Sequence, residues 1–200
     1  MAERLLGTRL VRKSPEGRVV GRIVETEAYV GPGDRGAHTF GGRRTARTEV
    51  QYGPAGHAYV FQVYGLYYCL CVVTAVVGCP EVVLIRAVEP EEGFAIMARR
   101  RGLPADEEPP DLRLLTTGPG RLCQAFGITK ADLGSDLTGS GSLFLAQEAS
   151  QAGGASADAG PWLRQGEKAA TTPRINIDYA AEAASWPWRF IIAGSRFVSR

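Results

Sequence analysis

Two hundred residues, 44% hydrophobic and 22% charged, describe a globular chain large enough to bury one good core. No apolar run is long enough to cross a membrane, and the opening MAERLLGTRLVR lacks a signal peptide's apolar centre, so an intracellular, cytoplasmic protein is expected. A net charge of +2 argues little about nucleic acid by itself, but almost all the positive charge is arginine, the side chain suited to bidentate phosphate contact and stacking.

Arg18 to Tyr29, RVVGRIVETEAY, is β-branched and alternating, which predicts a strand with Ile23, Glu25, Glu27 and Tyr29 on one face. Gly31 to Asp34 end it in a turn that leads to His38. The arginine-rich RRTARTEVQYGPAG, residues 43–56, reads as an exposed connection. HAYVFQVYGLYYCLCVV then predicts a β-hairpin, with Tyr59, Phe61 and Val63 on one face and a reversal at Tyr64 and Gly65. Tyr59, Tyr67 and Tyr68 read as core aromatics.

VVLIRA, residues 82–87, predicts a short buried strand ending at Arg86. Pro90 in a first turn with Glu91 and Glu92, and Arg99 to Arg101 followed by Gly102, predict a helix. TTGPG introduces a second helix over 121–126, where Gly118 and Arg121 could receive a phosphate. Residues 146–160 are rich in Ala, Gly, Ser and Gln and predict a mobile loop. WRFIIAG, residues 188–194, is the last strand signal. The expected architecture is a single α+β domain over residues 1–200, with a curved, mainly antiparallel sheet, peripheral helices and a protruding hairpin. The four cysteines lack metal spacing, so no metal and no disulfide are expected.

Taken singly, the polar residues have ordinary readings. Carboxylates on strands usually face arginines, and loop histidines usually cap or sit on a surface. Together they are more specific. A carboxylate followed on its face by a tyrosine can stand at the lip of an aromatic pocket and activate water. Tyr64 at a reversal is poorly placed for burial and suits an exposed wedge, and Arg43, Arg44 and Arg47 suit a phosphate backbone. These are the parts that base flipping requires. An O-glycoside hydrolase would also use paired carboxylates near aromatics, and a non-catalytic nucleic-acid module would use the aromatics and arginines alone.

The ordered motifs GRIVETEAYVGPGD, GGRRTAR, AYVFQVYGLYYCL, VLIRAVEPEEG, TTGPGRLCQAFGI and PWRF resemble the alkyladenine (3-methyladenine) DNA glycosylase family, the type without a helix-hairpin-helix, from Leu5 to Arg200. The resemblance implies a monofunctional base-excision enzyme without cofactor, acting as a monomer on double-stranded DNA that carries a damaged purine, and nucleoid-associated if bacterial. It implies Glu27 as the general base and Arg86 as its partner in holding water, with the Ile175 carbonyl. Tyr29, His38, Phe61 and Cys71 would wall the base pocket, and Tyr64 would enter the duplex. Glu25 is expected to be a strand ion pair.

The departures are Phe61 where a tyrosine is frequent, Cys71 where an asparagine is frequent, Asn176 where a glycine is usual, and TARTEVQY without the usual asparagine and Met-Phe. They bear on which base is taken. Activity on 3-methyladenine or 7-methylguanine is expected.

Overall fold

The structure, a computed structural model, describes residues 1–104, 111–147 and 162–199. Its centre is one antiparallel sheet of eight strands: β1 (Arg9–Ser14), β2 (Gly17–Val30), β3 (Ala58–Val63), β4 (Tyr67–Val73), β5 (Glu81–Glu92), β6 (Leu143–Ala146), β7 (Ala169–Thr172) and β8 (Arg189–Ile192). The main order is β3-β4-β5-β2-β1-β6, and β8 pairs with both β2 and β7. β2 is the axis. One edge runs along β5, while the other pairs with β1 up to Arg22 and is taken over by β8 at Glu25 to Glu27. The architecture is the α+β mixture with a curled antiparallel sheet that the sequence predicts.

Apolar side chains cover both faces. Ala58, Val60, Leu70, Val72, Val83 and Ile85 point to a core closed by α3 (Pro119–Phe126), which contributes Leu122, Cys123, Ala125 and Phe126. Two shorter helices, α1 (Phe94–Arg100) and α2 (Arg113–Thr116), flank it. On the opposite face Tyr59, Cys69, Cys71, Val82 and Leu84 form a second, smaller cluster against Tyr29 and Phe61. Two buried faces explain why YYCLCVV is nearly continuous in apolar residues rather than alternating with polar ones.

One local irregularity positions the chemistry. In the β2–β5 ladder Ile23 opposes Val88 and Glu25 opposes Ala87, so Val24 is an extra residue; Thr26 then opposes Ile85, so Arg86 is extra on β5. Such bulges bend the strand and re-aim side chains. Here Ile23 and Val24 both enter the main core, so Ile23 does not share the face of Glu25, Glu27 and Tyr29 as simple alternation predicts. Arg86 is turned between the two glutamates.

Other boundaries differ from the sequence reading for identifiable reasons. Pro90 does not open a helix: it lies in β5 opposite Gly21, and α1 starts only after Gly93, whose left-handed φ of 85° ends the strand. The connection over 43–56 is not wholly exposed, because a 3-10 turn, Glu49–Tyr52, buries Gln51 and Tyr52. Tyr67 is 39% exposed beside the hairpin's turn, paired with Val63, rather than in the core. Ala146 ends β6, and from residue 148 the expected mobile loop lies outside the described residues. The four cysteines are unpaired, and among the described residues no cluster has the makings of a metal site. No described helix is long and apolar enough to cross a membrane.

Candidate active site

The second half of β2 carries Glu25, Glu27 and Tyr29 on the face turned away from the main core, and both carboxylates are fully buried. Their partners separate their roles. Glu25 Oε1 accepts from Arg86 Nε at 2.8 Å, Arg189 Nε at 2.7 Å and Ser199 Oγ at 2.8 Å, and Oε2 accepts from the Ser199 amide at 2.6 Å. It is the hub that ties the C-terminal segment and β8 to the sheet, the ion pair that its place on a strand suggests.

Glu27 holds fewer contacts. Oε1 accepts from the Ile175 amide at 2.8 Å, and Oε2 accepts from the Tyr29 hydroxyl at 2.8 Å and, at 3.4 Å, from Arg86 Nη1. Two carboxylate oxygens offer about four lone-pair sites, so one hydrogen bond remains available. Burial opposes the charge on Arg86, but Glu27 and Glu25 outweigh it and hold the guanidinium above its usual pKa. The Tyr29 phenol is also raised well above its usual value, by burial first and then by the charge of Glu27.

Tyr29, Arg86 and Ile175, the three partners of Glu27, face a cavity of about 380 Å³, whereas Glu27 itself stands behind them and does not line it. Tyr29, His38, Tyr59, Phe61, Cys71, Arg86 and Ile175 line it, with Tyr64 at its edge. Apart from Tyr59, these are the residues named from the sequence, and the fold brings them to one place from β2, the following turn, β3, β4, β5 and the 174–177 segment. Phe61 stacks on Tyr59 with centroids 5.3 Å apart, and His38 meets Phe61 edge-on at 4.7 Å.

His38 is held on both ring nitrogens. Nδ1 is 2.8 Å from the Tyr59 hydroxyl, and Arg47 Nη2 is 3.3 Å from Nε2. An arginine can only donate, so Nε2 is the acceptor and the proton sits on Nδ1. Burial, with Arg47 and Arg43 behind it, lowers the His38 pKa to about 4, so the ring is neutral at pH 7. Burial raises the Tyr59 phenol to about 12 and the Cys69 thiol to about 11, and lifts Cys71 well above its usual value.

A buried ion pair and a backbone turn fix the walls. Asp34 and Arg174 form a fully buried two-pronged pair at 2.6 and 2.7 Å, and Arg174 also lies over the Tyr29 ring at 4.6 Å. That pair pins the turn bearing His38 to the segment bearing Ile175. Asn176, next in line, has φ 59°, a left-handed conformation that asparagine tolerates better than most side chains. This explains why a glycine suits the position.

The hairpin tip is the exposed part. Tyr64 is 85% exposed with φ 53°, which is unusual for a bulky residue, and Gln62 braces the turn by donating to the Gly65 carbonyl at 2.7 Å. Pro119, next to Gly118 at the start of α3, reaches the same cavity, and Arg121 is exposed on that helix near Arg101. The three loop arginines diverge. Arg43 and Arg47 border a neighbouring depression with Arg35 and Tyr179, whereas Arg44 turns to Glu49, at 2.6 and 2.9 Å, and stacks on Tyr52.

Sequence reasoning missed Gln51, Ile177 and Tyr179, which also line the cavity. Gln51 stood in a polar stretch read as solvent-facing, and nothing local marks Tyr179, which is 71% exposed. Only the fold brings them to the cavity that Tyr29 lines.

Comparison with known proteins agrees with the motifs. Residues 1–196 match the family model described as methylpurine-DNA glycosylase. Proteins named "Putative 3-methyladenine DNA glycosylase" from Bacillus thuringiensis (strain Al Hakam), Bacillus cereus (strain Q1) and Bacillus anthracis (strain A0248) are each 44% identical over 200 residues, covering 100% of this chain and 93% of theirs. The chain belongs to the methylpurine-DNA glycosylase family.

Proposed function

We propose that this chain removes alkylated purines from double-stranded DNA by flipping the damaged nucleotide into the aromatic cavity and hydrolysing its N-glycosidic bond. The observation that carries the reading is Glu27. It lies buried behind the cavity wall, fixed by Ile175, Tyr29 and Arg86, with capacity for one further hydrogen bond. A water held there, with Arg86 beside it, would lose its proton to Glu27 as its oxygen attacks the sugar C1′, and the base departs with the glycosidic electron pair.

The walls suit a cationic purine. A base alkylated at N3 or N7 is already positively charged, so it stacks well on electron-rich rings and leaves without protonation. His38 is neutral at pH 7, and the raised phenol and thiol pKa values make Tyr29, Tyr59 and Cys71 poor proton donors. The favoured substrates are therefore 3-methyladenine and 7-methylguanine rather than neutral lesions that need acid help. Tyr64 would fill the gap left in the stack, and Arg43, Arg47, Arg121 and the Gly118 amide would contact phosphates.

No lysine lines the cavity among the described residues, which fits hydrolysis that leaves an intact abasic site. The enzyme works as a monomer on the nucleoid in this reading. The test is free-base release from methylated duplex DNA by wild type and by Glu27→Gln. Release by wild type and a loss of about 10²- to 10⁴-fold in the variant are expected. A variant as fast as wild type removes the general-base role, and an inactive wild type removes the glycosylase reading.

A further inference from the structure

Most polar side chains on the cavity wall are engaged with one another. The Tyr29 hydroxyl donates to Glu27, His38 and Tyr59 are bonded together, and Arg86 is divided between Glu25, Glu27 and Ser199. Phe61 offers no hydroxyl, and the buried Cys71 thiol is a weak donor. Gln51 differs. It is 1% exposed, lines the cavity and lies close enough to the Tyr59 hydroxyl to lower that phenol's pKa, yet its Nε2 completes no hydrogen bond of acceptable geometry with Tyr59 or any other group. Buried amide donors are almost always satisfied, so an orphan at a cavity wall calls for an acceptor that arrives from outside the protein.

We propose that the Gln51 amide is a specificity-determining group that donates a hydrogen bond to the edge of the flipped purine and favours a base with a carbonyl at position 6 over one with an amino group there. The inference rests on the glycosylase reading above and deepens it. The terminal torsion of glutamine is broad, so rotation about it would turn Nε2 from its place beside Tyr59 towards the cavity that Gln51 lines. A 6-carbonyl gives the donor the acceptor it lacks, whereas a 6-amino group sets donor against donor. In this pocket discrimination between purines then comes from the turn after the arginine loop rather than from strand β4, where Cys71 stands.

DNA treated with a methylating agent contains both probes, 7-methylguanine with the carbonyl and 3-methyladenine with the amino group, and chromatography of the released bases gives both rates from one digest. The ratio of 7-methylguanine to 3-methyladenine release should fall about tenfold in Gln51→Met, which keeps the length and removes the donor. Gln51→Glu keeps the shape, presents acceptors only, and should lower the ratio as well. Circular dichroism establishes that each variant is folded, and the Glu variant decides the matter if the Met variant is not. A ratio within twofold of wild type, or one that rises, overturns the inference while leaving the glycosylase reading intact. No release of either base by the wild-type chain overturns that reading, and the inference falls with it.

Discussion

Glu25 and Glu27 sit two residues apart, equally buried, and the structure predicts that neutralising them has opposite consequences. Glu25→Gln keeps the volume but removes the charge that faces two guanidinium groups and the Ser199 amide and hydroxyl. Arg86, Arg189 and the Ser199 hydroxyl, which all meet Oε1, then share one neutral amide oxygen, and the Ser199 amide, which donated to Oε2, faces the new NH2 donor against donor. Removing one partner of a buried pair costs about 3–5 kcal/mol. At about 2–4 °C per kcal/mol for a chain of this size, the melting temperature should fall by roughly 6–20 °C. Glu27→Gln loses less. Its amide oxygen can still accept from Ile175, and Arg86 retains Glu25, so a cost of about 1–3 kcal/mol, roughly 2–12 °C, is expected. Thermal unfolding followed by circular dichroism, alongside single-turnover base release well below the transition, should give two opposite rankings: Glu25→Gln the less stable variant, Glu27→Gln the less active. If Glu25→Gln melts within 2 °C of wild type, or if the two rankings coincide, the division of labour drawn from these contacts is wrong.

The hairpin tip can be tested apart from the chemistry. Tyr64→Ala removes a side chain that is 85% exposed, so stability should hold, while affinity for duplex DNA containing an abasic analogue should drop about tenfold if one stacking contact is lost, as titration by fluorescence anisotropy would reveal. Unchanged affinity would refute the wedge. His38 supplies a pH signature. Its folded pKa, about 4, lies below its unfolded value of about 6.5, so its contribution is complete above the unfolded value and is lost as pH falls towards 4. Urea midpoints between pH 7 and pH 4 should therefore decline less steeply in His38→Asn than in wild type. Parallel slopes would mean that His38 is not held neutral. Salt separates the arginines: Arg43→Ala should lower the slope of log affinity against log salt by about one. Arg44→Ala should change it less, because Arg44 is already paired with Glu49. Equal slope changes would refute that distinction.

Much of the fold was legible because local chemistry and tertiary structure agree there. The hairpin follows from alternating aromatics and a Tyr-Gly reversal, and the second helix from its Gly-Pro entry, and the structure forms both, β3 with β4 and α3 over Pro119–Phe126. The Pro90 signal misled because proline with two glutamates is locally a good helix start, while pairing of β5 with the long β2 extends the strand past it to Glu92. β1, β6 and β7 left no clear sequence signal: β6 and β7 are four residues long, and β6 is fixed by β1, more than 130 residues away in the chain.

For the site, the sequence by itself determined the chemical kinds present: two carboxylates on one strand, a tyrosine beyond them, a histidine after a turn, an aromatic at a reversal and arginines in a loop. Their family pattern named Glu27 ahead of Glu25. What only the tertiary structure decided is which groups meet. Two bulges, at Val24 and Arg86, set the guanidinium between the glutamates, and a ladder register depends on both strands, so neither strand's sequence announces it. The Asp34–Arg174 pair spans 140 residues and closes the cavity, and burial there keeps His38 neutral. Gln51 acquired its importance in the same way: a polar residue in a polar segment became an orphan donor only when the fold enclosed it.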